Sequence, residues 1–181
     1  MSYLISIDGL DGCGKTTVGK KLSERINGTY YYTPPVKIHS IRELADNSTP
    51  TIRCYYYMLG NLIASKDFER LLKTSHVVSD RYFYATRAFH EPLGIYLPTP
   101  KDLLQPDAIV YLTASWPTIE KRLSERPIQT PYEDLNYLKK VAEHYVSILK
   151  NVPGVITVDT TDRQPDDVVD EIVTKLDFLS L

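Results

Sequence analysis

The chain has 181 residues, 43 % of them apolar, a formal net charge of −2 and two cysteines. That length fits one domain, residues 1–181, with a core of its own, and the apolar share excludes a disordered chain. The small net charge argues against a nucleic-acid or membrane footprint, no apolar run reaches membrane-spanning length, and two cysteines make no disulfide framework. In chain order, Tyr3 to Asp8 is mostly apolar, as a central parallel strand is. Glycines punctuate residues 9–14, and Val18, Leu22 and Ile26 then recur every four residues, the period of a helix. Gly28 is the expected C-cap. Thr29 to Thr33 reads as a second strand by its β-propensity, and Pro34-Pro35 ends it. Residues 36–50 are polar and irregular, with a short helix expected around Ile41 to Leu44. A long helix is expected from about Thr51 to Lys73, with Leu59, Leu62, Ile63, Phe68, Leu71 and Leu72 on one face. His76 to Asp80 is a third strand, followed by a helix to about His90 and a proline-rich loop to Pro100. Asp107 to Leu112 is the fourth strand. Ser115 caps a helix with Pro117 in its first turn. Leu135, Leu138, Ala142, Tyr145 and Leu149 make a helical stripe. Val155 to Val158 is the fifth strand, and Pro165 opens a last helix.

Strands alternating with helices predict an α/β fold, a five-stranded parallel sheet with helices on both faces. Ligands of such sheets bind at the carboxyl ends of the strands. The first of those ends carries Gly9-Leu10-Asp11-Gly12-Cys13-Gly14-Lys15-Thr16, the G-x-x-x-x-G-K-T pattern of a phosphate-binding P-loop, in the strand–turn–helix context that the pattern requires. Gly9, Gly12 and Gly14 let backbone N–H groups turn inward onto phosphate oxygens, and the helix start adds its dipole. Lys15 reaches β- and γ-phosphates, and the Thr16 hydroxyl is a ligand for Mg²⁺. A nucleotide's phosphates with Mg²⁺ are therefore the expected ligands of the loop, held by Gly9, Asp11, Gly12, Cys13, Gly14, Lys15, Thr16 and Thr17. Asp80-Arg81 closes the third strand at the same edge. Asp80 there is a metal carboxylate or a helix N-cap; Arg81 is a phosphate-neutralising group or a surface charge.

Together these residues carry a resemblance. The P-loop through Thr17 resembles that of the thymidylate kinase family. Asp80-Arg81-Tyr82 with Ala88-Phe89-His90 looks like that family's D-R-Y and A-Y-Q elements. Gln105-Pro106-Asp107 before the fourth strand, then Arg122 and Arg126, is similar to its P-D strand and lid approach. Val158-Asp159-Thr160 resembles its adenine-side loop. Thr33-Pro34-Pro35, Pro50-Thr51-Ile52-Arg53 and Leu59-Gly60-Asn61 with Ala64-Ser65 are similar to the mitochondrial UMP–CMP kinase branch of the family.

The resemblance implies a P-loop NTPase fold with a short lid at about 126–134. It implies transfer of the ATP γ-phosphate to a nucleoside monophosphate, most simply a pyrimidine one (dTMP, dUMP, UMP or CMP). Catalytic groups would be Lys15, Asp80, Arg81, Arg122 and Arg126; the acceptor would meet Asp11, Arg53, Tyr56, Arg81 and Arg87; metal would meet Thr16 and Asp80. Tyr56 stands near the family's base-stacking aromatic, with helix core as its alternative, and Arg53 faces either an acceptor phosphate or solvent. Gly12 stands where some members carry a P-loop arginine, which leaves Arg122 and Arg126 as the cations near the lid. Thr33-Pro34-Pro35 replaces the usual Arg-Glu-Pro, and the thymine-reading arginine aligns near Gly60-Asn61. Both differences point away from strict dTMP specificity. A deoxynucleoside kinase would need a general base after the second strand, and Tyr31 to Ser40 has no Asp or Glu. A GTPase-like regulatory module would need an N-K-x-D motif, which is absent. A homodimer through residues 51–90 is expected, with small-molecule nucleotides and no nucleic acid or membrane as partners. The chain enters a strand at once, so no leader is expected. A cytoplasmic setting, or a mature organellar one, is expected.

Overall fold

The computed structural model describes residues 1–126 and 133–179. Most of the expected lid, 127–132, lies outside the described residues. Among them, five strands form one parallel sheet: β1 (Leu4–Gly9), β2 (Thr29–Tyr32), β3 (Val77–Asp80), β4 (Ala108–Thr113) and β5 (Val155–Asp159). Their spatial order is β2-β3-β1-β4-β5. The helices are α1 (Lys15–Arg25), α2 (Arg42–Asp46), α3 (Pro50–Leu71), α4 (Phe83–His90), α5 (Trp116–Ser124), α6 (Leu135–Leu149) and α7 (Pro165–Lys175).

Parallel neighbours need crossover connections, and these are right-handed. The chain steps outward from β1 to β2 and back across β1 from β3 to β4, so the two crossovers leave their helices on opposite faces. α1 packs with α7; α4 packs with α3 and α6. β1 lies at the centre and every one of its residues is buried. Its two polar side chains are satisfied internally, as buried polar groups must be. The Ser6 hydroxyl donates to Asp8 Oδ2 at 2.6 Å, and the Tyr145 hydroxyl of α6 donates to Asp8 Oδ1 at 3.3 Å. Burial pushes the Asp8 carboxyl up, and Ser6 and Arg81 oppose it.

Three expectations are refined. At the end of α1 the left-handed residue is Asn27 (φ 51°), while the Gly28 N–H closes the turn onto the Ser23 carbonyl at 2.7 Å. Residues 36–50 are more ordered than expected, with a 3₁₀ turn at Val36–Ile41 ahead of α2. The buried residues of α3 include Cys54, Met58, Asn61, Ala64, Ser65 and Phe68, whereas Leu59 is 44 % exposed. The reason is close approach: a Cβ on Gly60 would stand 2.7 Å from the Pro34 Cβ. A helix drawn in that tightly buries small and polar residues. No helix among the described residues is long and apolar enough to cross a membrane.

Candidate active site

The carboxyl ends of β1 and β3 open into a cavity of about 890 Å³. Its floor is the loop between β1 and α1. Gly9 has φ 139°, and a Cβ there would lie 2.4 Å from the Leu112 carbonyl of β4. The loop passes over the sheet only because that atom is missing. Gly14 caps α1 in the left-handed region at φ 83°. The α1 N-terminus therefore faces the cavity with its unpaired N–H groups, a favourable place for an anion.

The side chains at this floor are already arranged. The Lys15 ammonium donates to the Leu10 carbonyl at 2.6 Å and stands 3.9 Å from Asp11. Burial and the Arg81 charge push the Lys15 ammonium down, while Asp11 and Asp80 oppose them. The Thr16 hydroxyl donates to Asp80 Oδ2 at 2.6 Å, and the Tyr30 hydroxyl donates to the same oxygen at 2.8 Å. Burial and the Asp80 carboxylate push the Tyr30 phenol up, so it stays a donor. Asp80 is not a helix N-cap; Tyr82 occupies that position.

Arg81 sits in the left-handed region at φ 68°, costly for a residue with a long side chain. It donates to Asp11 Oδ1 at 2.7 Å, and its guanidinium lies 4.9 Å from the Phe89 ring centroid. Burial alone would raise the Asp11 carboxyl, but Arg81, Lys15 and Arg126 bring it down to about 2. Asp11 is thus an anion among three cations, and an incoming phosphate would compete with it for all of them.

The two arginines near the expected lid part company. Arg126 lines the cavity, 3.9 Å from Asp11 and 3.1 Å from Glu133. Arg122 does not line it. Its guanidinium donates to the Gly12 carbonyl at 3.1 Å, to the Thr160 hydroxyl at 3.0 Å and to the Thr160 carbonyl at 2.8 Å. It ties the outside of the P-loop to the segment after β5.

At the other end of the cavity the expected Tyr56 is replaced by its neighbour. Tyr56 is buried away from the cavity, its hydroxyl donating to the Ile38 carbonyl at 3.3 Å. Tyr57 lines the cavity instead, its hydroxyl on Asp46 Oδ1 at 2.9 Å. Arg53, Tyr57 and Asn61 all line the cavity and recur every four residues, so they share one stripe of α3. Tyr56 falls on the other side of that stripe. This spacing was readable once Arg53 was a candidate. Arg87 is not in the cavity; it turns to Glu91 Oε1 at 2.7 Å, one helical turn on. Two further cavity residues, Arg42 and Tyr32, carry no sequence signal. The Arg42 guanidinium donates to the Tyr32 hydroxyl at 3.1 Å and to Asp46 at 3.4 Å.

His90, the last residue of α4, lines the cavity too. Its Nδ1 donates to the Thr86 carbonyl at 2.7 Å, which leaves Nε2 to accept from Arg53 Nε at 3.2 Å. Burial, with the Arg53 charge, lowers its pKa from 6.5 to about 4. The group is held neutral in the fold and gains a proton more easily on unfolding. Its contribution to stability is therefore full above pH 6.5 and is lost as pH falls towards about 4. The loss is about 3 kcal/mol. A melting temperature that falls across this window, and falls less in His90→Gln, is the expected result; identical profiles would contradict it.

Known proteins resemble this chain over most of its length. The family model described as thymidylate kinase matches residues 7–172. A probable thymidylate kinase from Methanococcus maripaludis (strain C6) is 33 % identical, over 97 % of this chain and 96 % of that protein. The mitochondrial UMP-CMP kinase 2 of Homo sapiens is 29 % identical, over 72 % of this chain but 32 % of that protein. Among solved structures, thymidylate kinase from Candida albicans superposes with a TM-score of 0.82 at 19 % identity, covering 99 % of this chain and 92 % of that one. Deoxyadenosine kinase from M. mycoides superposes with a TM-score of 0.71 at 18 % identity, over 96 % of this chain and 98 % of the other. At these identities the structures speak for the fold.

Proposed function

The chain belongs to the thymidylate kinase family of nucleoside monophosphate kinases, and on that premise we propose that it moves the ATP γ-phosphate to a pyrimidine nucleoside or deoxynucleoside monophosphate. The observation that carries this reading is a single cavity with a P-loop at one end and Arg53, Tyr57 and Asn61 at the other, Arg81 lying between the loop and α4. An acceptor phosphate oxygen is already anionic near neutral pH. It forms the new bond to the γ-phosphorus as the bond to the bridging oxygen breaks and ADP leaves, so no general base is required. The work left to the protein is alignment and charge balance.

Roles follow from contacts. Backbone N–H groups of residues 12–17 and the Lys15 ammonium hold the donor phosphates. Arg81, released from Asp11, meets the acceptor phosphate, with Arg53 nearby. Arg126 supplies charge to the transferring group. Tyr57 offers the acceptor base a ring to stack on, worth about 1–3 kcal/mol. Thr16 and Asp80 suit Mg²⁺, since a hydroxyl and a carboxylate are hard oxygen donors and that ion keeps several waters of its own. When bound, Mg²⁺ neutralises charge on the β- and γ-phosphates.

Residues 1–181 act as one kinase domain, and a homodimer forms through α3. Ile52, Tyr55 and Leu59, all exposed at three- and four-residue spacing on that helix, support the dimer. Sedimentation at the 20.7 kDa monomer mass would overturn it. Two buried free thiols, Cys13 and Cys54, support a reducing setting, cytoplasmic or in a mature organellar form.

The acceptor is tested by following ADP formation with dTMP, dUMP, UMP, dCMP, CMP, AMP, GMP, thymidine and deoxycytidine. Pyrimidine monophosphates are expected to be the best acceptors. Phosphorylation of free nucleosides but not monophosphates would overturn the reading, and preference for AMP or GMP would remove the base assignment alone.

A further inference from the structure

We propose that Tyr30 is a positioning residue for Asp80, orienting its carboxylate so that one oxygen is presented to the metal of the nucleotide complex. The inference rests on the reading of Thr16 and Asp80 as the metal-side pair. Tyr30 lies on β2 and faces α1, outside the loop motif and outside every element of the family resemblance. Its hydroxyl and that of Thr16 both donate to Asp80 Oδ2, at 2.8 and 2.6 Å. Asp80 Oδ1 takes no hydrogen bond from any described side chain, and Asp80 lines the cavity.

The two donors come from different elements, Thr16 from α1 and Tyr30 from β2. A carboxylate held by one donor still swings about its terminal torsion; two donors on one oxygen fix the direction of the other. The ring is itself fixed. A Cβ on Gly19 would come within 3.2 Å of the Tyr30 ring, so the glycine leaves the space that the ring fills. The Lys20 ammonium stands 5.7 Å from the ring centroid on the same helix. Phenylalanine would fill that space and suit the strand equally well. The hydroxyl alone is therefore what the proposal concerns, and partners that orient a metal ligand are worth 10–100-fold in metal affinity (about that range).

The test uses the whole chain with saturating ADP, Mn²⁺ as the probe metal, and electron paramagnetic resonance to count free Mn²⁺. Tyr30→Phe is expected to raise the Mn²⁺ dissociation constant about tenfold, with melting temperature and ADP affinity in EDTA unchanged. A Tyr30→Phe value within about twofold of wild type, while Asp80→Asn is clearly weakened, would overturn the role of Tyr30 and leave the metal pair standing. An equal loss of ADP affinity in EDTA would also overturn it, since packing beneath α1 would then account for the residue. Unchanged Mn²⁺ affinity in Asp80→Asn would remove the metal pair and the proposal with it.

Discussion

Alanine at Arg126 is expected to lower kcat by about 10³-fold or more, with a far smaller change in KM for ATP. A transition-state arginine contributes about 10³–10⁵ in rate, and Gly12 leaves the P-loop itself without a side-chain cation there. Arg122 and Arg126 lie four residues apart and are equal candidates by sequence, but their surroundings differ. The Arg122 guanidinium already has three carbonyl or hydroxyl acceptors on Gly12 and Thr160. Arg126 is 41 % exposed, lines the cavity and, among the described residues, forms ion pairs with the carboxylates of Asp11 and Glu133. Phosphate charge can outcompete a carboxylate at 3.9 Å far more easily than it can dismantle a set of short hydrogen bonds. Arg122→Ala is accordingly expected to loosen the P-loop and to act mainly on KM for ATP. Loss of an interaction made only in the transition state lowers kcat and kcat/KM together, so steady-state kinetics of the two variants separate the roles. Arg126→Ala within tenfold of wild-type kcat would send the search for the cation elsewhere.

Lys15→Ala is expected to cost about 10²–10³ in kcat, the roughly 3–4 kcal/mol typical of a preorganised electrostatic group aimed at developing charge. The fold should survive. The Lys15 ammonium is buried beside Arg81, which disfavours its charge, and among the described residues its hydrogen bond is to the Leu10 carbonyl. Removing it relieves a like-charge contact, and the Leu10 carbonyl still accepts from the Cys13 N–H at 3.3 Å. The Asp11 carboxylate keeps Arg81 as its partner. The pair of measurements is a melting temperature near wild type and a rate at saturating ATP well below a tenth of wild type. A rate above that tenth, from folded protein, would count against a catalytic role for the loop.

These two expectations differ in where they come from. The Lys15 prediction was available from eight consecutive residues. Backbone geometry in a P-loop is local: glycines at set offsets permit the turn, and the helix that follows fixes the direction of the lysine. The same locality made the five strands and most helix ends legible, because a period of apolar residues and a cap or proline are short-range signals, and their alternation with helices implied a parallel sheet. Asp80 and Arg81 were legible for a related reason, since a strand's carboxyl end in such a sheet is a known destination.

What α3 does was only half legible. Its expected span, about Thr51 to Lys73, lies within two residues of the observed Pro50–Leu71, and Arg53 was a candidate. The choice of Tyr57 over Tyr56 depended on the helix's rotation about its own axis. That rotation is set by Gly60 against Pro34 and by contact with α4, between segments far apart in the chain. The separation of Arg126 from Arg122, and of Arg87 from the cavity, is of the same kind. A charged side chain of that length reaches several places from one backbone position, and its acceptors come from other elements. Tyr30 shows this most plainly, because in sequence it is one tyrosine in a run of three. The sequence by itself determined the sheet, the phosphate loop and the residue types at the strand ends. Which tyrosine and which arginine line the cavity was decided by packing between distant segments, which no local pattern encodes.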